Sequence, residues 1–288
     1  MVKQRIFFGI IMAASATLLC WLDSVLIWRT GSGEQVQGFI WAFIAEAMML
    51  SAVNEFSKLV KGKGARVFPL ASYIGASLFC LSYFLKQFGF AFEISQAYLH
   101  LIIMFAAVLS AVLLSFIAQG RAKTNEGTIL NCGATVFTVM YWGFFSSFFL
   151  AIRVEHSISA LILFVAVVKM CDVGAYTFGK IFGHTKFAPL VSPKKTWEGM
   201  VGGCIFSAVT GVLFSVIFSV MLWWQGAIFG IIFAFAGQLG DLAESMLKRD
   251  AGIKDSGDKL PGFGGVLDIV DSLVFTAPFA YLFFNIVG

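Results

Sequence analysis

The chain has 288 residues, 59% of them hydrophobic and 12% charged, with a formal net charge of +4 and a mean hydropathy of +0.88. Soluble domains carry about 25% charged residues, so this charge is too sparse to cover a water-soluble surface. The 33 Phe and 7 Trp exclude a disordered chain, the 29 Gly show no collagen triplet, and 5 Cys are too few for a disulfide-stapled fold. What remains is an all-α polytopic integral membrane protein, and so small a net charge points to no nucleic acid.

A bilayer core takes about 20 apolar residues per helix. On that criterion about nine transmembrane helices are expected, at 6–27, 36–54, 67–85, 97–117, 129–151, 157–176, 200–221, 224–247 and 265–287. Lys3 and Arg5 precede the first apolar run, but no small-residue cleavage site precedes a soluble domain, so a retained span is expected rather than a signal peptide. About five spans form an N-terminal region, 1–152. About four spans and two long loops form a C-terminal region, 153–288, expected to carry the chemistry. Cys20, Cys80, Cys132, Cys171 and Cys204 stand singly among apolar residues and read as small buried hydrophobes.

Nine spans put the termini on opposite sides, and the cations say which. Sixteen of the 20 Lys and Arg fall on the side of the N-terminus. They are Lys3 and Arg5; Lys58, Lys61, Lys63 and Arg66; Arg121 and Lys123; Lys180, Lys186, Lys194 and Lys195; and Lys248, Arg249, Lys254 and Lys259. The other side holds Arg29, Lys86 and Arg153, and Lys169 lies within a span. The asymmetry places the N-terminus in the cytoplasm and Gly288 on the opposite side.

Charged groups within spans cost about 2.5–3.5 kcal/mol each on insertion scales, so their positions are informative. The first half has Asp23 near a span end and Glu46 within the second span, whose role stays open between a functional site and pairing in the bundle. The second half has Lys169 and Asp172 on the sixth span, Asp241 and Glu244 on the eighth, and Asp268 and Asp271 on the ninth. Each of the last two pairs has i,i+3 spacing, which puts both carboxylates on one helix face. Three helices therefore bring acids to a similar depth near the cytoplasmic surface. Carboxylates gathered there repel one another unless a cation neutralises them, and hard oxygen ligands suit Mg²⁺. Ion pairs with Lys169, Lys248 and Arg249 are the plainer alternative, but they would not require acids to converge from three helices.

Two loops flank the acids. Thr177–Gly199 offers Lys180, Lys186, Lys194 and Lys195 with the hydroxyls of Ser192 and Thr196. Lys248–Gly265 adds Lys248, Arg249, Lys254 and Lys259 among five glycines. Glycine lets a backbone approach a ligand closely, and exposed N–H groups can cradle phosphate oxygens. No Walker A pattern is present. The basic stretch Lys58–Arg66 reads as simple attraction to anionic lipid. His184 is either a base or a surface histidine, and His100 and His156 have no acidic partner in sequence. Cations beside a carboxylate-held metal suit phosphoryl or nucleotidyl transfer. These residues by themselves point to a metal-dependent enzyme working on a phosphorylated substrate at the cytoplasmic face. A transporter fits less well, because its site would lie near the midplane between repeats.

The same residues resemble the phosphatidate cytidylyltransferase (CDP-diacylglycerol synthase) family. The resemblance runs through Asp172–Tyr176 with Gly179, Lys180, Phe182 and Gly183; through Ala188-Pro189 and Ser192–Gly199; and through Gly240–Asp271. The last block carries Gly240-Asp241-Leu242, Glu244-Ser245, Lys248-Arg249, Lys254-Asp255, Pro261-Gly262, Gly264-Gly265, Asp268 and Asp271. Two positions depart from the family pattern: Phe263 stands where His is usual, and Ile269 where Arg is usual. The resemblance implies transfer of a cytidylyl group from CTP to phosphatidic acid, giving CDP-diacylglycerol and pyrophosphate for phospholipid biosynthesis. It implies that Asp241 and Asp268 hold Mg²⁺, with a monovalent cation such as K⁺ alongside. Asp172, Glu244 and Asp271 are further candidate ligands. Lys248 and Ser245 would act at the reacting centre, while Ser192, Lys194, Lys195, Thr196, Arg249 and Lys254 would meet phosphates. It also implies a bacterial inner (plasma) membrane location among membrane lipids, and allows a homodimer. A CTP-dependent lipid or polyprenol kinase, or a cytidylyltransferase for another lipid phosphate, stays open as an alternative.

Overall fold

The computed structural model describes residues 18–29, 35–254, 256–257 and 265–287. Most of the first expected span, 6–27, lies outside the described residues; within it, residues 18–25 are helical. A short hairpin, β1 (Trp28–Arg29) and β2 (Gln35–Val36), leads into α1 (Phe39–Lys61), α2 (Pro69–Leu85, continued by a tighter 3₁₀ stretch, Lys86–Phe92), α3 (Gln96–Arg121) and α4 (Thr128–His156). Then come α5 (Ile158–Phe182), the hairpin β3 (Lys186–Ala188) and β4 (Ser192–Thr196), α6 (Trp197–Phe218), α7 (Trp223–Asp250) and α8 (Leu267–Val287). Among the described residues, all of α1–α8 are long and apolar enough to cross a membrane. They coincide one for one with the spans expected from residue 36 onward, and the chain is an all-α polytopic integral membrane protein.

The starts of these helices follow from local chemistry. Ser95, Ser157 and Thr196 each accept a hydrogen bond from a backbone N–H in the first turn that follows, of Tyr98, Ala160 and Gly199. Pro69 opens α2, where its missing N–H costs nothing.

The chain divides into two compact units: Met1–Glu155 with Asp255–Leu267, and His156–Lys254 with Asp268–Gly288. In the first unit the apolar window of α4 is 56% buried and that of α3 only 17%, which makes α4 central and α3 a lipid-facing rim. Accordingly α3 buries a stripe of Ala107, Ala111, Ser115 and Gln119 and exposes Leu101, Phe105 and Phe116. Small residues at i,i+4 are what let helices approach closely in lipid. A π turn in α4, Val139–Phe144, accompanies a similar approach: a Cβ on Gly143 would fall 2.6 Å from the Ala76 Cα. The same unit holds a buried ion pair, Arg153 Nε to Asp23 Oδ2 at 2.6 Å, with side chains 3% and 0% exposed. Ile40 N–H also donates to Asp23, and Arg153 also reaches Gln37.

In the second unit α6 buries almost only small residues, among them Gly199, Gly202, Gly203, Ser207 and Gly211. A Cβ on Gly174 of α5 would fall 2.5 Å from the Gly202 carbonyl oxygen of α6, and one on Gly230 of α7 would fall 2.6 Å from the Ala208 nitrogen. Both seams of α6 are therefore backbone-to-backbone approaches that only glycine permits. The tilted rings of Phe229 and Phe233 of α7 lie 4.2 Å apart, and Phe229 meets Phe284 of α8 at 5.2 Å.

Candidate active site

The expected loop 177–199 is mostly regular structure. α5 runs on to Phe182, and β3 pairs antiparallel with β4, with Lys186 opposite Thr196 and Ala188 opposite Ser192. Thr196 ends the hairpin and caps α6 at once, so Ser192, Lys194 and Lys195 sit on a strand tied directly to a membrane helix. Glu198, in the first turn of α6, accepts from the backbone N–H groups of His184 at 3.2 Å and Thr185 at 3.1 Å and so holds the start of the hairpin. The second expected loop also begins as helix, since Lys248 and Arg249 form the last turn of α7, where cations complement the helix dipole. Of that loop, Lys259 and Phe263 lie outside the described residues.

A cavity of about 310 Å³ opens within this unit. Asp172 and Tyr176 of α5, Phe187 and the Lys194–Thr196 run of the hairpin, and Gln238 and Asp241 of α7 line it. Lys195 Nζ lies 2.7 Å from Asp241 Oδ2 and donates to the Gln238 carbonyl at 3.2 Å. Ser245 Oγ donates to Asp241 Oδ1 at 3.4 Å, and Gln238 Nε2 donates to Asp172 Oδ1 at 3.4 Å. Lys169 Nζ lies 3.9 Å from Asp172 Oδ2. Lys194 also lines the cavity and is exposed, as is Lys254 beyond α7.

Beside this cavity the acids sort into two arrangements. Asp241, Glu244 and Asp271 each offer a carboxylate oxygen within 4.8 Å of the others. Glu244 is 1% and Asp271 5% exposed, and Glu244 Oε1 has no hydrogen-bond partner among the described residues. One ion could touch all three. Asp268 stands differently, ion-paired with Lys248 Nζ, which also lies 2.6 Å from Glu244 Oε2. Lys248 is 7% exposed and so is committed to two acids. Arg249 is committed as well: its guanidinium donates to the carbonyls of Val191 at 3.3 Å and Ile253 at 3.0 Å, joining the hairpin turn to the end of α7.

The structure thus brings Asp172, Asp241, Lys194, Lys195 and Thr196 to one cavity and sets Glu244, Ser245, Asp271, Lys248 and Asp268 beside it. Gln238 escaped sequence reasoning. Its signal was its position one turn before Asp241, which puts an amide on the same helix face. Phe187 escaped it too, since one phenylalanine among 33 carries no signal of its own, while Tyr176 was seen only as the end of the Asp172–Tyr176 block, with no role. Glu46 accepts a hydrogen bond from Ser77 Oγ at 2.5 Å, which makes it a partner within the first unit's bundle.

Fold and site together define a polytopic membrane protein with clustered carboxylates and lysines around a cavity near the ends of three helices. A profile of the Cytidylyltransferase family matches residues 3–287, and the chain belongs to that family. It is similar to the phosphatidate cytidylyltransferase of Staphylococcus haemolyticus, at 39% identity over 172 residues, 59% of this chain and 64% of that one. A phosphatidate cytidylyltransferase of Synechocystis is 47% identical over 124 residues, 42% of each chain. That of Staphylococcus aureus strain COL is 38% identical over 175 residues, 59% of this chain and 66% of its own. The alignment spans less than two thirds of the length of each relative.

Proposed function

We propose that the protein transfers the cytidylyl group of CTP to phosphatidic acid, leaving CDP-diacylglycerol in the membrane and releasing pyrophosphate. The observation that carries this reading is the cavity itself, where Lys194 and Lys195 stand on a rigid strand opposite Asp172 and Asp241, in a member of the Cytidylyltransferase family. A phosphate oxygen of the lipid forms the new bond to the α-phosphorus of CTP as the bond to the bridging oxygen of the β-phosphate breaks. The attacking group is already anionic, so the step needs no strong general base. Lys194 and Lys195 would lie against the triphosphate and offset its charge, Thr196 would fix the end of their strand, and Phe187 and Tyr176 would offer apolar faces to the base.

Mg²⁺ fits the acids present. Five carboxyl groups, those of Asp172, Asp241, Glu244, Asp268 and Asp271, outnumber the three ammonium groups of Lys169, Lys195 and Lys248 that they meet, a surplus of acid that a divalent ion would balance. Asp241, Glu244 and Asp271 would hold it, with Asp268 keeping Lys248 beside them. A bound Mg²⁺ would supply charge stabilisation to the phosphoryl oxygens. The sorting of cations along the chain supports a site on the cytoplasmic side of a bacterial plasma membrane, with the C-terminus opposite.

The test is product analysis with CTP labelled at the α- or the γ-phosphate, in membranes supplied with phosphatidic acid and Mg²⁺. Cytidylyl transfer puts the α-label into lipid; a CTP-dependent kinase would put the γ-label there and overturn the reading. Asp241→Asn and Asp268→Asn should each lower turnover by on the order of a hundredfold or more in a folded protein. Near-normal turnover in folded Asp241→Asn would refute its place as a ligand.

A further inference from the structure

Glu55 lies near the C-terminal end of α1, in the half of the chain where sequence reasoning placed no chemistry. Its side chain is 2% exposed. Its Oε2 accepts a hydrogen bond from the Leu267 backbone N–H at 3.0 Å and another from Ser256 Oγ at 3.3 Å. All three residues belong to the same unit. Gly265 and Gly257 close on the same group: a Cβ on Gly265 would fall 2.5 Å from Glu55 Oε2, and one on Gly257 3.5 Å from Oε1. Two stretches of chain that precede α8 therefore converge on one carboxylate.

Burying a carboxyl is costly unless its oxygens are hydrogen-bonded. The first N–H groups of a helix are donors without an intrahelical partner, and a negative group there also meets the positive end of the helix dipole. Leu267 is the first residue of α8 and is itself fully buried, so its N–H has no water to turn to. Asp268 follows it directly, and Asp271 comes one turn later. Within the second unit, Lys169 Nζ donates to the Ile269 carbonyl at 2.8 Å, so a second side chain grips the first turn of α8.

We propose that Glu55 is a positioning residue: by holding the Leu267 peptide it sets the first turn of α8 and, through it, the aim of Asp268 and Asp271. Its consequence for turnover rests on the cytidylyl-transfer reading above; its grip on Leu267 does not. Glu55→Ala removes the acceptor, Glu55→Asp keeps the charge but shortens the reach, and Glu55→Gln keeps an acceptor oxygen at full reach. Each is purified as the whole protein in detergent and compared with wild type by amide hydrogen exchange and by steady-state kinetics with CTP and phosphatidic acid.

Exchange across Leu267–Val270 should quicken about tenfold in Glu55→Ala and Glu55→Asp, the factor that loss of a helix-capping acceptor implies, and return close to wild type in Glu55→Gln. Turnover should fall about 10–100-fold in the first two with the KM for CTP within about threefold, and Glu55→Gln should recover it, as misplacement rather than lost binding requires. Should Glu55→Ala fail to fold, Glu55→Asp carries the comparison. Unchanged exchange at Leu267–Val270, faster exchange with wild-type turnover, or a Glu55→Gln as impaired as Glu55→Ala would each overturn the proposal. A wild-type protein inactive with CTP would overturn the function proposed above, while the exchange comparison still decides whether Glu55 holds α8.

Discussion

Lys248 is the point at which stability and chemistry of the site can be separated. Its ammonium stands 2.6 Å from Glu244 Oε2 and also pairs with Asp268, while its own side chain is 9% exposed and those acids 1% and 12%. Lys248→Met keeps the aliphatic stem and deletes the charge. At an effective dielectric constant of about 20, a pair at that distance gains about 6 kcal/mol of Coulomb energy. Desolvation of both groups offsets much of this, and removing one partner of a buried pair costs a net of about 3–5 kcal/mol, because the other charge stays buried. In a membrane protein the unfolded chain also finds polar partners, which favours the low end, about 3 kcal/mol. The assay is unfolding by SDS in mixed micelles, followed by tryptophan fluorescence. Adding Glu244→Gln removes one of the two stranded acids and should restore at least about half of that loss. Turnover should stay low in the double variant, since neutralising Glu244 also removes a proposed metal ligand. A Lys248→Met protein within about 1 kcal/mol of wild type, or a double variant less stable than the single one, would refute the coupling of these acids through Lys248.

Arg153→Leu strands the fully buried Asp23 and should cost about 3–5 kcal/mol in the same unfolding assay, with Asp23→Asn in that background recovering most of it. Gly230→Ala drives a methyl into the Ser207–Ala208 backbone and should cost about 1–3 kcal/mol by forcing α6 from α7, again read by SDS titration. A cysteine placed at Lys194 in a cysteine-free background should react with an impermeant maleimide only in inverted vesicles; labelling of intact cells would overturn the orientation.

The membrane helices were legible because the bilayer imposes their length, and the structure within the loop between the sixth and seventh spans was blurred because water imposes none. Thr177–Phe182 mixes polar and apolar residues, so hydropathy ends the sixth span at 176 although the backbone continues as helix to Phe182. The hairpin at Lys186–Thr196 was hidden by Pro189 and Pro193, which read as loop until the pairing of Lys186 with Thr196 is seen. The i,i+3 spacing of Asp241 and Glu244 correctly put both acids on one face, yet spacing within a helix cannot tell which acid of α8 joins them. Lys248 decides that by engaging Asp268, which leaves Asp271 with the other two. Glu55 was illegible for a similar reason: it falls just past the expected end of its span at 54, where an acid ordinarily meets water.

The site's geometry is set at seams that contain none of its acids. Lys195 reaches Asp241 because β4 runs without a break into α6 through the Thr196 cap, and α6 has backbone contact with both α5 and α7 through glycines. A strand hung on a free loop would pay the entropy of ordering two lysines each time a triphosphate bound; here that ordering is built into helix packing. The same packing presses like charges together, since the helices that fix the lysines also carry Asp172 and Asp241. Close-packed helices cannot swell to relieve that repulsion, so cations or bound protons must meet it. Lysines meet part of it, and the unsatisfied Glu244 Oε1 marks where they fall short. If the site binds metal and nucleotide as proposed, loosening a glycine seam should weaken its hold on both together, even though no ligand-bearing residue has changed.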